Sequence, residues 1–526
     1  MNNRHLLVTR REAIAETRLL SCDEMAECDA ATAAAGLFTG LQLMAHAGAA
    51  VIDVILSTFP GVSRVQILCG PGNNCGDGYV AATGLQARGV CVQIAALGKP
   101  RPGTDAQRAR ADWDGPVMDL SDASFDKQTL VIDALFGAGF RGELPPEAQS
   151  ALRRAAMAGA PILAIDLPSG INGDTGLFDT TADCRATVTF FRKKPAHCLF
   201  PAREKCGAMT LVDIGVKAAP TLTYNAALHE NGPLLWGNVL PQGRSDQHKY
   251  SRGHVAVFSG PRHATGAARL CAMAAQRTGA GAVTLLGTPD ALDIHAHHVT
   301  SIMLKPYDDG EAVNALAALK NPRSAVLGPG FSHLKVARSI ANELLTSPAF
   351  ALDTLVLDAD AITAFADAPH ALFQAARNAS KRQLILTPHD GEFGRLFSDI
   401  STDKTTGKVQ KTRVAARLAN AVVVYKGPDT VIAAPDGRAV INTNATPALA
   451  TAGSGDVLAG IIAALTAGKM SAFEAACAGV WIHAEAAQYA GPYCIAEHII
   501  SSLPASMAAI GLKQESSRNA LVTQLP

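Results

Sequence analysis

Asp456 stands in ATAGSGDVLAG, residues 450–460, directly after a Gly-Ser-Gly turn that opens an apolar run. Unpaired backbone N–H groups at a helix start, reinforced by the helix dipole, hold developing negative charge on a phosphoryl group in transfer. An aspartate in that first turn can accept the proton of an attacking hydroxyl. Gly-Ser-Gly is a costly way to begin a helix unless the backbone must approach a ligand, so the turn reads as an anion hole rather than a favourable end charge. No lysine follows it, which excludes a Walker loop for this stretch.

A second glycine-rich turn, GPGNNCGDGY at 70–79, follows the apolar run VQIL and precedes AATGLQARG. A dinucleotide fingerprint needs a third glycine where this chain has Cys75, and an acid at the end of the next strand, where VCVQIAALGK has none. The amides of Asn73 and Asn74 and the carboxylate of Asp77 instead suit a sugar, a cation or a reacting ring. Two further acids close apolar runs: Asp133 in TLVIDALFGAG and Asp166 in PILAIDLPSG, with Ser169 three residues on. Either could merely cap a following helix. Ligands in open α/β sheets bind beyond the carboxyl ends of the strands, however, and Asn74, Asp133 and Ser169 offer the hard oxygens of an alkali-metal site. Lys194 in TVTFFRKKPAH adds a positive donor, although Arg192 and Lys193 beside it also fit a solvated cluster.

His389 and Glu392, in TPHDGEF, fit a helix-capping turn or a site in which His389 touches substrate and Glu392 holds magnesium through water. The run HAHH at 295–298 has no partner motif and reads as a solvated helix face.

These stretches need strands to carry them. From about 21 to 217 short apolar runs (RVQILCG, VCVQIAAL, TLVIDAL, PILAIDL, ATVTFF, MTLVDIG) alternate with Ala-rich helical segments such as PPEAQSALRRAAMAG. That alternation predicts an α/β fold with a mostly parallel sheet. Residues 218–250, rich in proline and polar residues, read as a linker, after which HVAVFSG, GAVTLLG, SAVLGPG, TLVLDAD, QLILTPH, AVVVYKG and TVIAAP restart the pattern. Two domains are expected, 1–225 and 226–526, the first a Rossmann-like three-layer α/β/α sheet; 526 residues exceed what one core usually supports.

Lys plus Arg and Asp plus Glu are balanced at 46 each and charged residues are 17%, so no polyanion-binding field is expected and nucleic acid is excluded as the main partner. No secretory leader or membrane span is expected from the charge-interrupted N-terminus and apolar runs, which places the chain in the cytoplasm. The 11 cysteines lack a CxxC pair and read as reduced thiols.

GPGNNCGDGY, IDALFGAG, IDLPSG, TVTFFRKK and GAMTLVDIG together resemble the epimerase domain of the NAD(P)H-hydrate repair enzymes. The resemblance implies substrate contacts at Asn73, Asn74, Cys75, Gly76 and Asp77, at Gly137, Ala138, Gly139, Phe140, Arg141, Gly142 and Glu143, and at Asp166. It implies potassium held by Asn74, Asp133 and Ser169, and proton transfer by Asp166 and Asp133 with Lys194 as electrostatic helper. Cys75 stands where the family usually has glycine, and His46 where it usually has glutamate or asparagine.

HVAVFSG, VLDADAI, LTPHDGE, VVYKGPDTVI and ATAGSGDVLAG, in that order, resemble the ribokinase-like superfamily, and within it the ADP-dependent NAD(P)H-hydrate dehydratases. That resemblance implies substrate contact at Ala267, Gly330, His389 and Asp456, and adenine nucleotide against Lys426, Gly427, Pro428, Asp429, Thr430 and Gly455. The lead-in NATPALATAGSGD departs from the family's glycine-asparagine-proline-glycine pattern. The implied activities are those of an isomerase and a lyase: exchange of the R and S hydrates of NADH or NADPH, and dehydration of the S form with ADP and Mg²⁺, releasing AMP and phosphate. A homo-oligomer is expected. The competing reading is a ribokinase-like vitamin-precursor kinase whose N-terminal domain binds without catalysing.

Overall fold

The computed structural model describes residues 14–222, 227–243, 245–308, 310–348, 352–379 and 382–523. The chain divides into two compact units, one of residues 18–224 and one of 225–526 together with the segment up to Thr17. The boundary expected at 225/226 falls on residues outside the described ones.

The first unit holds helices α1 (Cys22–Ala34), α2 (Gly40–Thr58) and α3 (Asn74–Gln86) and strands β1 (Arg64–Cys69), β2 (Cys91–Ala96), β3 (Val117–Asp119), β4 (Leu130–Ala134), β5 (Ile162–Ile165), β6 (Ala186–Phe190) and β7 (Ala208–Val212). The strands pair in parallel in the order β3-β2-β1-β4-β5-β6-β7. Strand order reverses between β1 and β4, and the crevice at such a switch point is where open α/β sheets bind ligands. Near-continuous apolar runs follow from burial of the sheet on both faces: β4, β5 and β6 are buried at every position. Only the edge strand β3 was absent from the sequence expectation, because three half-exposed residues leave no apolar run to read.

Helix α2 is 19 residues long with a mean hydropathy of 1.5, long and apolar enough to cross a bilayer, which the sequence reading did not single out. Half of those residues are buried inside the protein, and Val51, Ile52 and Ile55 join the core under β1 and β5.

The second unit contains β8 (Leu228–Glu230), β9 (His254–Phe258), β10 (Ala282–Gly287), β11 (Met303–Pro306), β12 (Ser324–Leu327), β13 (Thr354–Leu357), β14 (Gln383–Leu386), β15 (Val422–Tyr425), β16 (Val431–Ala433) and β17 (Ala439–Ile441). Their order is β8-β17-β16-β15-β14-β13-β12-β9-β10-β11, parallel from β15 to β11 with β16 antiparallel to both its neighbours. Helices α4 (Thr265–Arg277), α5 (Asp390–Leu396), α6 (Ser454–Ala467) and α7 (Ala472–Ala490) follow; α4, α6 and α7 build one apolar core with the sheet.

Part of the stretch read as a linker is instead built into the second unit. Its residues Leu228–Glu230 form β8, parallel to β17, and Trp236 is fully buried, edge-on to Trp481 with ring centroids 5.7 Å apart. Its indole N–H donates to Asn231 Oδ1 at 3.1 Å. Prolines and polar residues hid the segment because a three-residue strand and one anchoring aromatic leave no periodicity.

Candidate functional site

In the first unit a cleft of about 910 Å³ opens beside the tips of β1, β4 and β5. Asn73 and Asn74 begin α3, and Gly70 explains the turn before them: a Cβ there would lie 1.9 Å from the Leu135 carbonyl oxygen. Gly137 lies between two site groups, since a Cβ on it would be 3.1 Å from Asp166 Oδ2 and 3.2 Å from Asn74 Oδ1. Asp166 takes a left-handed φ of 67° just past β5, a rare conformation that aspartate tolerates better than most. Lys194 Nζ donates to Asp166 Oδ1 at 2.6 Å and to Thr189 Oγ1 at 3.1 Å; Thr189 Oγ1 donates to the same Asp166 oxygen at 3.0 Å. The Ala138 N–H donates to Asp166 Oδ2 at 2.9 Å.

Burial alone would raise the Asp166 carboxyl, but Lys194, followed by His197 and the Ala138 N–H, reverses this and holds it at about 2. His197 Nδ1 accepts the Lys194 backbone N–H at 2.9 Å, so its Nε2 carries the proton and donates to the Asp166 carbonyl at 2.8 Å. Burial and the neighbouring Lys194 push this imidazole down to about 4, leaving it neutral. Burial, then repulsion from Asp166 and Asp29, raises Asp77 well above the usual carboxylate range.

Asn73, Asn74, Asp77, Gly137, Ala138, Gly139, Phe140, Arg141, Asp166 and Lys194 line the cleft together. Lys194 is 3% exposed, which removes the solvated-cluster reading for it. Asp133 does not line the cleft and is fully buried; its Oδ1 accepts from Ser169 Oγ at 2.6 Å and the Leu135 N–H at 3.2 Å, and its Oδ2 from the Ser169 N–H at 2.8 Å. The expectation of Asp133 as a proton-transferring group is therefore corrected: its oxygens brace the β4 and β5 turns. Gly142, Glu143, Cys75 and Gly76 also lie off the cleft lining. Gly76 faces Met44, whose sulfur would be 2.4 Å from a Cβ there.

Cys75 is buried in the apolar core, its thiol donates to the Gly72 carbonyl at 2.9 Å, and burial with the nearby Asp77 pushes it up to about 12. It staples the turn from behind. Cys75→Ala is expected to keep the turnover of the first unit within roughly 3-fold while lowering stability by about 1 kcal/mol, read by thermal unfolding beside the activity assay.

In the second unit the residues that follow β13 and β15, Asp358 and Lys426, lie beside the start of α6. Gly453, in the left-handed region at φ 85°, turns the chain into α6. Lys426 Nζ donates to Asp358 Oδ1 at 2.9 Å and lies 3.9 Å from Glu392 Oε2, while Thr387 Oγ1 donates to Asp358 Oδ1 at 2.8 Å. A Cβ on Gly455 would be 3.4 Å from Lys426 Nζ and 3.7 Å from Asp358 Oδ2, so strand tips and helix start converge on one spot. Burial raises Asp456, repulsion from Asp358 adds to this and Lys426 opposes it; the carboxyl reaches about 7. Lys426 itself is raised, because attraction to Asp358 and Glu392 outweighs the cost of burial. Ser454 Oγ lies 3.2 Å from Nε2 of the buried His483, which burial and Lys426 push down to about 4.

Ala267 and Gly330 are neighbours: a Cβ on Gly330 would be 3.1 Å from that of Ala267. His389 Nδ1 accepts from the Gly391 and Glu392 N–H groups at 3.0 and 3.4 Å, and Glu392 Oε2 accepts the His389 N–H at 2.9 Å. The capping geometry is thus realised, and only His389 Nε2, 3.3 Å from Glu392 Oε1, remains for a ligand. In the Lys426–Thr430 turn, Asp429 is buried and pairs with Lys408 at 2.6 Å, and Thr430 Oγ1 donates to the Gly427 carbonyl at 2.9 Å. Both side chains brace the turn, which leaves Gly427 and Pro428 exposed.

The HAHH reading needs correction as well. His295 is fully buried with Nε2 2.8 Å from Ser259 Oγ, and only His297 and His298 are exposed. Sequence reasoning also passed over Asp358, which ends β13 in the quoted VLDADAI and carries the same strand-end signal as Asp166. Thr189, His197, Thr387 and His483 act through contacts 5 to 31 residues away that no local pattern signals.

Two α/β sheets, each with an acid–lysine cluster at its strand tips, give this chain one candidate site in each compact unit, the arrangement of a two-site α/β enzyme. The family described as NAD(P)H-hydrate dehydratase matches residues 255–507, and that described as YjeF-related protein N-terminus matches 40–196. A bifunctional NAD(P)H-hydrate repair enzyme of Coxiella burnetii is 31% identical over 85% of this chain and 90% of its own; one of Gloeobacter violaceus is 32% identical over 94% and 97%. The crystal structure of an ADP/ATP-dependent NAD(P)H-hydrate dehydratase from Bacillus subtilis, co-crystallised with ATP and Mg²⁺, is 24% identical and covers 52% of this chain and 94% of its own at a TM-score of 0.44. The chain belongs to the family of bifunctional NAD(P)H-hydrate repair enzymes.

Proposed function

We propose that the second unit dehydrates the S hydrate of NADH or NADPH at the expense of ADP, and that the first unit interconverts the R and S hydrates. The observation that carries this is Asp456. It sits in the first turn of α6 with a carboxyl raised to about 7, where a group divides between its acid and base forms at neutral pH and can both take and return a proton.

Asp456 takes the proton of the C6 hydroxyl as the β-phosphoryl of ADP moves onto that oxygen. The backbone N–H groups around Ser454 and Gly455, with Lys426, meet the charge that develops. Phosphate then leaves C6 with the C6–O bond electrons, the resulting ring cation gives up a proton from the neighbouring C5 to water, the C5–C6 double bond forms, and AMP and phosphate are released. Magnesium would neutralise phosphate charge, held through its own water by Glu392.

In the first unit the Asp166 carboxylate, kept ionised by Lys194, would accept a proton from the water that bonds to the carbinolamine carbon. Potassium fits the turn beneath it. The buried Asn74 Nδ2 has no hydrogen-bond partner, and the reversed amide would put a ligand oxygen in that place. The ion would supply fixed positive charge below the cleft, held by Asn74, Asp133 and Ser169.

The test is stepwise. Purified R hydrate with protein and no ADP is expected to yield S hydrate by chromatography; added ADP is expected to restore the reduced-nicotinamide absorbance with one inorganic phosphate per ring. A stable phosphorylated product, or inertness toward both hydrates, overturns the reading.

A further inference from the structure

Exchanging the configuration at C6 makes a demand that the Asp166–Lys194 pair does not meet. The ring nitrogen lone pair expels the hydroxyl: the C6–O bond breaks, the departing oxygen takes a proton and leaves as water, and the ring becomes a cation. Water then bonds to the opposite face of C6 and gives up a proton. Nothing is oxidised or reduced, and the proton count closes. One group must donate where oxygen leaves and another must accept where it returns.

Asp166 is held as an acceptor by three donors, Lys194, Thr189 and the Ala138 N–H. Both ring nitrogens of His197 are in use, and Asp133 is turned away behind the cleft. Of the other polar groups lining the cleft, the Cys22 thiol donates to the Ala138 carbonyl, Arg141 pairs with Asp174, and Asp105 pairs with Arg108. Asp29 remains. It lines the same cleft from α1, an element separate from the strand tips that carry the rest of the cluster.

We infer that Asp29 is the catalytic proton donor and acceptor that works opposite Asp166 on the C6 hydroxyl of the hydrated nicotinamide. This rests on the epimerase reading given above. The charged groups sharing the cleft with Asp29 are Asp77 from α3, Asp166 after β5, Lys194 after β6, and Arg101, Asp105 and Arg141. Partial burial lifts the Asp29 carboxyl, Lys194 pulls it down and Asp166 lifts it again; the balance is about 6, at a residue that is exposed to solvent at the cleft rim. It therefore carries a proton over part of the neutral range, as a donor must.

The experiment follows R-to-S exchange in the full chain without ADP, with the uncatalysed rate subtracted. Asp29→Asn is expected to lower kcat by roughly 10² or more with KM within about 3-fold, and Asp29→Glu to recover at least about a tenth of the wild-type rate. Wild-type kcat is expected to fall as pH rises through about 6, and Asp29→Asn to be flat there. An Asp29→Asn rate within about 5-fold of wild type, or an unchanged pH profile, overturns the inference. So does a pattern in which Asp77→Asn alone abolishes exchange. A wild-type chain that exchanges nothing sinks the epimerase reading itself, a result distinct from failure of the Asp29 variants alone.

Discussion

Asp456→Asn protein is expected to lose about 10³-fold or more of its ADP-dependent dehydration rate while R-to-S exchange continues unchanged. Asparagine keeps the shape of the first turn of α6 and removes the only function claimed for the side chain, proton acceptance. The pH profile makes the claim sharper. With a carboxyl at about 7, the active base form grows tenfold per pH unit below that value and levels above it. The wild-type rate should follow, and the residual rate of the variant should not. Stability should move the other way. A carboxyl raised above its unfolded value of 3.8 destabilises the fold once it ionises, between about 4 and 7, because the unfolded chain binds fewer protons. Removing the charge should therefore stabilise the protein at pH 7.5, on the order of 2 kcal/mol, seen as a higher midpoint in thermal or urea unfolding. A variant that is both inactive and less stable would point to a structural role instead.

Asp166→Asn is expected to act oppositely on stability. Lys194 is almost completely buried and Asp166 is its partner at 2.6 Å. Without the carboxylate the ammonium is left unpaired, a change that costs about 3 kcal/mol or more for buried pairs. R-to-S exchange should fall by roughly 10²- to 10⁴-fold. Dehydration of pure S hydrate should persist, since Asp456 and Lys426 belong to the other compact unit. The sign of the pH dependence is fixed by the lowered carboxyl. Its folded value of about 2 lies under the unfolded 3.8, so the stabilisation is complete above about 4 and is lost as pH falls toward 2. The difference between those values corresponds to about 2 kcal/mol. Acid unfolding of wild type should accordingly show a steeper loss between pH 4 and 2 than the Asn variant, which has no such proton to bind.

Much of this was legible in the chain itself. Near-continuous apolar runs ending in Gly, Asn or Asp mark buried parallel strands and their ligand-facing tips, because hydrophobic burial and turn chemistry are both local signals. β1, β4, β5 and β6, then β9, β10 and β12 to β16, arise where such runs stand, and GSGD opens α6 as its glycines require. Short elements escaped: β3, β8, β11 and β17 span three or four residues each, too few to set a period.

What the strand tips do was decided only in three dimensions. Asp133 and Asp166 look alike as sequence, each closing an apolar run before a glycine-bearing turn. Asp133 falls inside β4 and points into the packed turn that Ser169 completes, whereas Asp166 lies one residue past β5, and its positive φ turns it to the cleft and Lys194. Asp133 is in register with Ala164, so Asp166 lies two positions further along, where the chain has left the sheet and a positive φ rather than strand alternation aims the side chain, and no composition records it. Cys75 and His295 sit in motifs that invite chemistry, yet packing buries both away from ligand. The charges that tune Asp456 come from Asp358 and Lys426, 68 residues apart in the chain and 2.9 Å apart in space. Local order in this protein is written in runs of residue types; proton affinity is a sum over neighbours that only the folded sheet brings within reach.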